Sequence, residues 1–227
     1  MKRRTFILWA TVAAAGGLLL DRAGDYWLIQ KQLAYSPLLP TLPVMPTPVP
    51  RSDWDARPVN HEAASEFGFD TPDNPSGWLD YPQDLTGVYH TVAIHHSALS
   101  REEHETMRSI QDGHMDGRGW ADIGYHFGID ADGLLYAGRD ITARGASVEG
   151  GNTGVIGVVV MGNFEIETPT NPQLTALQTL VNWLAQTYHL TTLAGHSELN
   201  NQTVCPGHYL KVYLDLLAKG AGLQRPV

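Results

Sequence analysis

From residue 91 onward, short apolar runs separated by turns predict strands. Runs rich in β-branched and aromatic residues cover positions 91–95, 125–129, 134–137 and 155–161. The segment Asp130-Ala131-Asp132-Gly133 lies between the second and third runs and predicts a hairpin turn. These runs supply the strands of one predicted sheet.

Helical patterns lie between and after the strands. Ser100 and Glu103 have the spacing of a capping box, which predicts a helix that begins there and ends near Met115. Asn171-Pro172 predicts the start of a second helix, and Pro206 the start of a third. We therefore expect a single α/β domain with a mixed central β-sheet flanked by about three helices.

The first 50 residues have a different character. Lys2, Arg3 and Arg4 precede an apolar stretch over residues 6–20, which is typical of an export signal and resembles the twin-arginine pattern. At 1.5 Å per residue this stretch spans about 22 Å, less than a bilayer core of about 30 Å. A cleaved signal and a retained membrane anchor both stay open, and either predicts export to the periplasm or cell envelope.

Six prolines between Pro37 and Pro50 predict an extended spacer. The predicted organisation is a signal or anchor over residues 1–24, a proline-rich linker over 25–50 and one domain over 51–222. Residues 51–227 carry ten basic and 22 acidic side chains, a net charge of −12. Because an acidic body repels phosphate backbones, we expect no nucleic-acid partner. Separately, we expect the chain to be a monomer.

The chain has one cysteine, Cys205. A single sulfur excludes a disulfide-stapled scaffold and any site built from several cysteines of this chain. Cys205 is therefore a packed thiol, a reactive thiol or a lone metal ligand, and composition does not distinguish these three roles.

Histidines near Cys205 and in the first strand offer a metal-binding set. Strand side chains alternate between faces, so His96 shares the apolar face of Val92 and Ile94, while His95 lies on the opposite face with room for a ligand. His196 precedes Cys205 by nine positions across a polar loop. Two neutral imidazoles and a thiolate suit Zn²⁺ and leave one position for water, but the His-x8-Cys spacing alone is a weak signal.

Seven short segments, taken together, resemble the peptidoglycan recognition protein family. They occur in that family's order and approximate spacing, over about residues 51–217. The segments are Arg51-Ser52-Asp53-Trp54-Asp55-Ala56-Arg57, Ile94-His95-His96-Ser97-Ala98, Gly119-Trp120-Ala121-Asp122-Ile123-Gly124-Tyr125-His126-Phe127, Ala137-Gly138-Arg139-Asp140, Met161-Gly162-Asn163-Phe164, Gly195-His196 and Cys205-Pro206-Gly207. This family belongs with the type 2 zinc N-acetylmuramoyl-L-alanine amidases, which include the amidase-type phage lysozymes.

The resemblance implies a ligand set and two catalytic side chains. It implies that His95, His196 and Cys205 hold zinc, and non-catalytic members typically lose the cysteine. Tyr125 matches a tyrosine that assists catalysis, and Thr203 matches a position that can hydrogen-bond the oxyanion formed during hydrolysis.

The resemblance also implies a peptide-binding groove. His114 and Trp120 match positions that line it, and Asn163 lies near it at the end of the central strand. Two departures bear on substrate preference: Ser147 follows Gly145-Ala146 where the family usually has histidine, and the loop from His196 to Cys205 is one residue longer than usual.

The implied activity is hydrolysis of the amide between N-acetylmuramic acid and L-alanine, in peptidoglycan or in muropeptides. One alternative is a non-catalytic, membrane-tethered module that binds peptidoglycan. A second is a metal-free thiol hydrolase with Cys205 as the nucleophile and His196 or His95 as the base. Pro206 disfavours this second alternative, because it removes a backbone donor often used for an oxyanion.

Overall fold

A mixed five-stranded sheet organises the part of the chain that the computed structural model describes, residues 44–226. The predicted export segment and all but the last residues of the predicted linker lie outside the described residues. None of the helices within 44–226 combines the length and the apolar character needed to cross a bilayer.

The strands confirm the predicted α/β class and mixed sheet. They are β1 (Thr91–His96), β2 (Phe127–Ile129), β3 (Leu135–Ala137), β4 (Val155–Val160) and β5 (Thr192–Gly195), in the spatial order β3-β2-β4-β1-β5. β1 is parallel to β4 and β5, β2 is parallel to β4, and β2 pairs antiparallel with β3. Sequence patterns did not predict β5, because four residues with a single β-branched side chain carry little signal.

Short helical segments surround this sheet. The α-helices are α1 (Met107–Asp112), α2 (Asn171–Tyr188), α3 (His196–Leu199), α4 (His208–Lys211) and α5 (Leu214–Ala221). Turns of 3₁₀-helix cover Arg51–Trp54 and Arg101–Glu103, and a π-helical turn, Gly113–Gly117, continues α1.

The helix predicted from Ser100 is divided. Its capping box is present but closes only a 3₁₀ turn, because His104 adopts a left-handed conformation with φ of 51°. The hydroxyl of Thr106 then accepts a hydrogen bond from the Ser109 N–H at 3.1 Å and starts α1. The second predicted helix is confirmed as α2, with Thr170 as its N-cap, and the third is divided into α4 and α5.

Helices cover both faces of the sheet. Ile94 and Val158 pack on one face in the main core with Leu180 of α2 and Leu214 of α5, all fully buried. On the other face, Val159 packs with residues of α1. Burying each such side chain stabilises the fold by about 1.5–3 kcal/mol.

Glycine at position 128 allows α1 to approach β2. A Cβ there would clash with the sulfur of Met107, so a larger residue would force this buried side chain to move.

The ends of the domain make strand-like contacts. Val49 donates its N–H to the Leu135 carbonyl at 2.8 Å, so the chain just before Arg51 runs beside β3. At the other end, the Gln224 carbonyl accepts the N–H of Leu193, which places the C-terminal segment along β5.

Candidate active site

The three predicted zinc ligands come together where two parallel strands end. His95 is near the C-terminal end of β1, His196 directly follows β5, and Cys205 lies in the loop after α3. One ligand atom from each lies within 4.8 Å of the others. The sulfur of Cys205 is 3.6 Å from Nδ1 of His95. The sheet thus joins residues that are far apart in sequence, because the carboxyl ends of parallel strands share one edge.

The faces of β1 are as strand alternation predicted. His96 packs toward the main core, where its ring lies 6.3 Å from that of Phe164 and its Nδ1 accepts the Phe164 N–H at 3.2 Å. His95 points to the opposite face and is fully buried. This parity separates a structural histidine from a candidate ligand that is its immediate neighbour.

The electrostatics of the cluster suit a cation that binds neutral imidazoles. Burial, followed by the proximity of His196, holds the pKa of His95 well below its ordinary value. Burial and then Arg118 lower the pKa of His196. Both imidazoles are therefore neutral at pH 7, and the buried Nε2 atom of each has no hydrogen-bond partner among the described residues. Neutral rings with unused nitrogen atoms beside a sulfur fit Zn²⁺.

Cys205 is 7% exposed, and burial raises the pKa of its thiol to about 12, partly offset by the His96 N–H that approaches the sulfur at 3.4 Å. A thiol with so high a pKa is a poor free nucleophile at neutral pH. A bound divalent cation would reverse this balance by stabilising the thiolate. The surroundings of Cys205 therefore favour a metal ligand over the metal-free thiol hydrolase.

Tyr125 lies beside this cluster. Its ring centroid is 4.9 Å from that of His95 and 5.2 Å from that of His114. Burial, followed by the proximity of Cys205, raises the pKa of the phenol, so the hydroxyl keeps its proton and can donate a hydrogen bond.

Thr203 is fixed by the backbone of the loop that carries Cys205. Its Oγ1 accepts the Cys205 N–H at 3.1 Å, which leaves the hydroxyl proton available to another acceptor. Thr203 and His196 both line a groove of about 960 Å³. The longer loop between them therefore still places the threonine next to the ligand cluster.

The predicted groove residues occupy three different positions. Trp120 lines the groove, and the guanidinium of Arg118 lies 5.2 Å from its ring centroid. His114 is buried beside Trp120, and its Nδ1 accepts the Gly124 N–H at 3.0 Å. Asn163 does not line this groove: it lies in the turn after β4, where its Oδ1 accepts the Glu165 N–H at 3.2 Å.

Sequence patterns missed one wall of the groove. The lining includes Ser65, Glu66, Pro75 and Ser76, which come from an irregular segment before β1. Glu66 joins this segment to the rest of the domain through a buried ion pair with Arg139, with contacts of 2.6 and 2.9 Å. No periodicity marks such a segment, and a lone glutamate gives no sign that its partner lies 73 positions away.

Ser147, the residue that departs from the family pattern, also lines the groove. A Cβ added at Gly157 of β4 would lie 2.6 Å from the Ser147 hydroxyl and 3.5 Å from the Tyr125 ring. Ser147 and Tyr125 thus both pack against Gly157. The serine that stands where the family usually has histidine therefore lies close to the candidate ligand cluster.

Comparison with known proteins agrees with this geometry. A family model described as N-acetylmuramoyl-L-alanine amidase matches residues 86–208. Peptidoglycan-recognition protein LB of Drosophila melanogaster is 35% identical in an alignment of 128 residues that covers 51% of this chain and 53% of that relative. The chain therefore spans about half the length of this relative.

Two solved structures have the same fold. The endolysin N-acetylmuramoyl-L-alanine amidase LysCS from Clostridium intestinale URNW has a TM-score of 0.59 at 28% identity, covering 80% of this chain and 99% of LysCS. Human PGRP-IBETAC, solved in complex with glycosamyl muramyl pentapeptide, has a TM-score of 0.59 at 26% identity, covering 79% of this chain and 99% of the human chain. The matched sequence and the shared fold show that this chain belongs to the type 2 N-acetylmuramoyl-L-alanine amidase family, together with the peptidoglycan recognition proteins.

Proposed function

We propose that this chain is a zinc-dependent N-acetylmuramoyl-L-alanine amidase, which hydrolyses the amide between N-acetylmuramic acid and L-alanine of peptidoglycan. The observation that carries the proposal is the cluster of His95, His196 and Cys205, whose ligand atoms lie within 4.8 Å beside an open groove. A module that only bound the wall would need the groove but not this cluster.

The three side chains would hold zinc as two neutral imidazoles and one thiolate. When bound, the ion would supply Lewis-acid chemistry, polarising the scissile carbonyl and lowering the pKa of a water molecule. Three protein ligands rather than four are typical of catalytic zinc sites, so the set would be of the catalytic type.

Tyr125 and Thr203 would stabilise the charge that develops on the carbonyl oxygen. Both hydroxyls are protonated donors, one beside His95 and the other beside Cys205. Donors already held in place act on the transition state without reorganising, which makes such contacts large contributors to catalysis. Burial of Tyr125 strengthens its contribution because a low local dielectric weakens electrostatic interactions less than water does.

The substrate would lie along the groove that Trp120 lines. A related protein of the same fold is known in complex with a muramyl pentapeptide, which supports a stem peptide attached to muramic acid as the occupant. We further propose that the protein acts in the cell envelope, where this substrate is found, after export directed by its N-terminal segment.

The test is to incubate the purified full-length chain with sacculi and with defined muropeptides, with and without a zinc chelator. We expect about one zinc per chain by elemental analysis and release of free stem peptides that the chelator abolishes. Stoichiometric zinc without peptide release would reject catalysis. Peptidoglycan binding that persists in Cys205→Ser, together with no turnover by the wild type, would instead favour the non-catalytic binding module.

A further inference from the structure

The helix that begins with the ligand His196 is too short to be stable alone. α3 contains four residues, and the Asn200 N–H closes its turn on the His196 carbonyl at 2.9 Å. Forming a single helical turn fixes several backbone dihedrals for one hydrogen bond, so such a turn depends on contacts from outside. Those contacts determine how narrowly the position of the His196 ring is restricted.

Glu198 of α3 supplies the first of these contacts. Its carboxylate accepts the N–H of Gly195, the residue before His196, at 2.7 Å. This bond fixes the backbone where β5 passes into α3.

Arg225 holds the Glu198 carboxylate in that position. One terminal nitrogen of its guanidinium contacts both carboxylate oxygens, at 2.6 and 2.5 Å, and the other donates to the Leu193 carbonyl of β5 at 2.8 Å. The two side chains are only 19% and 23% exposed, so solvent screens the pair weakly. A planar guanidinium can bridge a carboxylate and a carbonyl at once, which an ammonium does less well.

The backbone next to Arg225 is anchored to the same strand. Gln224 accepts the Leu193 N–H and donates to the Thr191 carbonyl, both at 2.9 Å. Arg225 therefore reaches Glu198 from a fixed position rather than from a free tail. The family match ends at residue 208, so Arg225 lies outside the matched region, whereas Glu198 lies within it.

We propose that Arg225 is a positioning residue for the metal centre, which acts through Glu198 to fix His196 and thereby sets the affinity of the cluster for zinc. This inference rests on the proposed function in that zinc is the ion bound. Removing the guanidinium leaves a partly buried carboxylate without its cation, and that carboxylate gains by turning to water and releasing the Gly195 N–H.

The test compares Arg225→Met with Asp215→Asn in the full-length chain. Asp215 also contacts Arg225, at 3.1 Å, but is 89% exposed and makes no hydrogen bond or ion pair with α3, so its substitution is a matched control. Zinc affinity is measured by competition with a chelator of known affinity. We expect about a 10–100-fold loss for Arg225→Met, the range seen for residues that orient metal ligands, and no change for Asp215→Asn.

Three further measurements separate positioning from general destabilisation. The cobalt-substituted protein reports ligand geometry, so we expect its thiolate-to-metal absorption to change in Arg225→Met but not in Asp215→Asn. Arg225→Lys should recover part of the zinc affinity because it restores the charge opposite Glu198. The unfolding temperature of each metal-free variant shows whether the fold itself is intact.

The outcomes are distinct. Equal zinc affinity in Arg225→Met and wild type would overturn the positioning role while leaving the proposed function intact. A wild-type chain that binds no zinc would reject the proposed function. An equal loss of zinc affinity in Asp215→Asn and Arg225→Met would also overturn the inference. It would indicate that Arg225 acts by fixing the C-terminal segment to α5 through Asp215 and not by holding Glu198.

Discussion

Cys205 Sγ lies 3.6 Å from His95 Nδ1, although 110 positions separate the two residues. Backbone bonds on both sides hold the cysteine loop: the Ser197 N–H donates to the Cys205 carbonyl at 2.7 Å, and the His96 N–H approaches the sulfur at 3.4 Å. β1 and α3 therefore position the sulfur through their own backbones. These backbone contacts place the sulfur beside His95.

A first prediction concerns Cys205→Ser. Serine is a much weaker zinc ligand than a thiolate, and even residues that only orient ligands are worth about 10–100-fold in metal affinity. We expect zinc affinity and turnover on muropeptides each to fall by more than about a hundredfold. Equilibrium dialysis against zinc and a peptide-release assay measure the two losses.

The same variant has an internal control in thermal unfolding. Because zinc binds the native state, it should raise the unfolding temperature of the wild type and have little effect on Cys205→Ser. A zinc-dependent rise that is as large in the variant would show that the ion binds elsewhere.

Much of the fold follows from local patterns. The predicted strand at 155–161 and the helix that begins at Asn171 match β4 and α2 closely, because each has strong periodicity and clear boundaries. The Ser100 capping box correctly predicted that a helical segment begins there, but the segment is a single 3₁₀ turn and not a helix that continues to Met115. No local sequence pattern marks His104 as the residue whose left-handed backbone ends this turn.

The candidate site likewise contains features that the sequence could predict and features that it could not. Strand alternation separated His95 from His96. The roles of His196 and Cys205 were implied by the family resemblance, because the His-x8-Cys spacing alone is a weak signal. The Glu66–Arg139 pair and the Arg225–Glu198 clamp could not be predicted, because their partners lie 73 and 27 positions apart and no local periodicity connects them. Contacts between irregular segments depend on the folded backbone rather than on the neighbouring sequence.

Tyr125→Phe tests the proposed oxyanion donor. The substitution removes only the hydroxyl, so the packing of the ring against His95 is kept. Loss of one such donor typically lowers kcat by about 10²–10³-fold. We expect that loss in kcat, with little change in KM and none in zinc affinity.

Tyr136→Phe on β3 is the control for this effect. It also removes one phenol hydroxyl, which here donates a partly buried hydrogen bond to Asp130 at 2.9 Å at the edge of the sheet. Turnover by this variant should match the wild type. Tyr125→Phe with full kcat would exclude the hydroxyl from transition-state stabilisation.

Among the ion pairs of the described residues, breaking the Glu66–Arg139 pair should lower the free energy of unfolding the most. Its side chains are 8% and 0% exposed, so Glu66→Gln leaves a buried guanidinium without its charge partner. Breaking one side of such a pair costs about 3–5 kcal/mol. Chemical denaturation of the full-length chain measures this loss of unfolding free energy.

A matched comparison uses the pair of Arg108 with Asp55, whose carboxylate is 95% exposed. Asp55→Asn should cost less than about 1 kcal/mol, since solvent screens the charges and asparagine tolerates the left-handed backbone there. Equal losses for Glu66→Gln and Asp55→Asn would contradict the special role of the buried pair.

His126 should make the stability of the domain depend on pH below neutrality. Its Nδ1 accepts the Gly157 N–H at 3.0 Å while its Nε2 lies 3.0 Å from the Ala143 carbonyl, so protonating Nδ1 would break a buried hydrogen bond. Burial lowers the pKa of His126 to about 4, partly offset by the Ala143 contact. The unfolded chain, with an ordinary histidine pKa near 6.5, therefore binds a proton that the native state does not bind between about pH 6.5 and 4.

Stability should accordingly fall as pH decreases through this window, by up to about 1.4 kcal/mol per pH unit from His126 alone. Urea unfolding from pH 7 to 5, with chelator present so that zinc release adds nothing, measures the slope. His126→Gln should unfold more easily at every pH but with a shallower slope. Tyr81→Phe loses the 3.1 Å bond that the Gly154 N–H donates to the Tyr81 hydroxyl, and it should be destabilised with the wild-type slope. If both variants kept the wild-type slope, the proton linkage would have to come from other histidines, because only the loss of His126 itself removes its share.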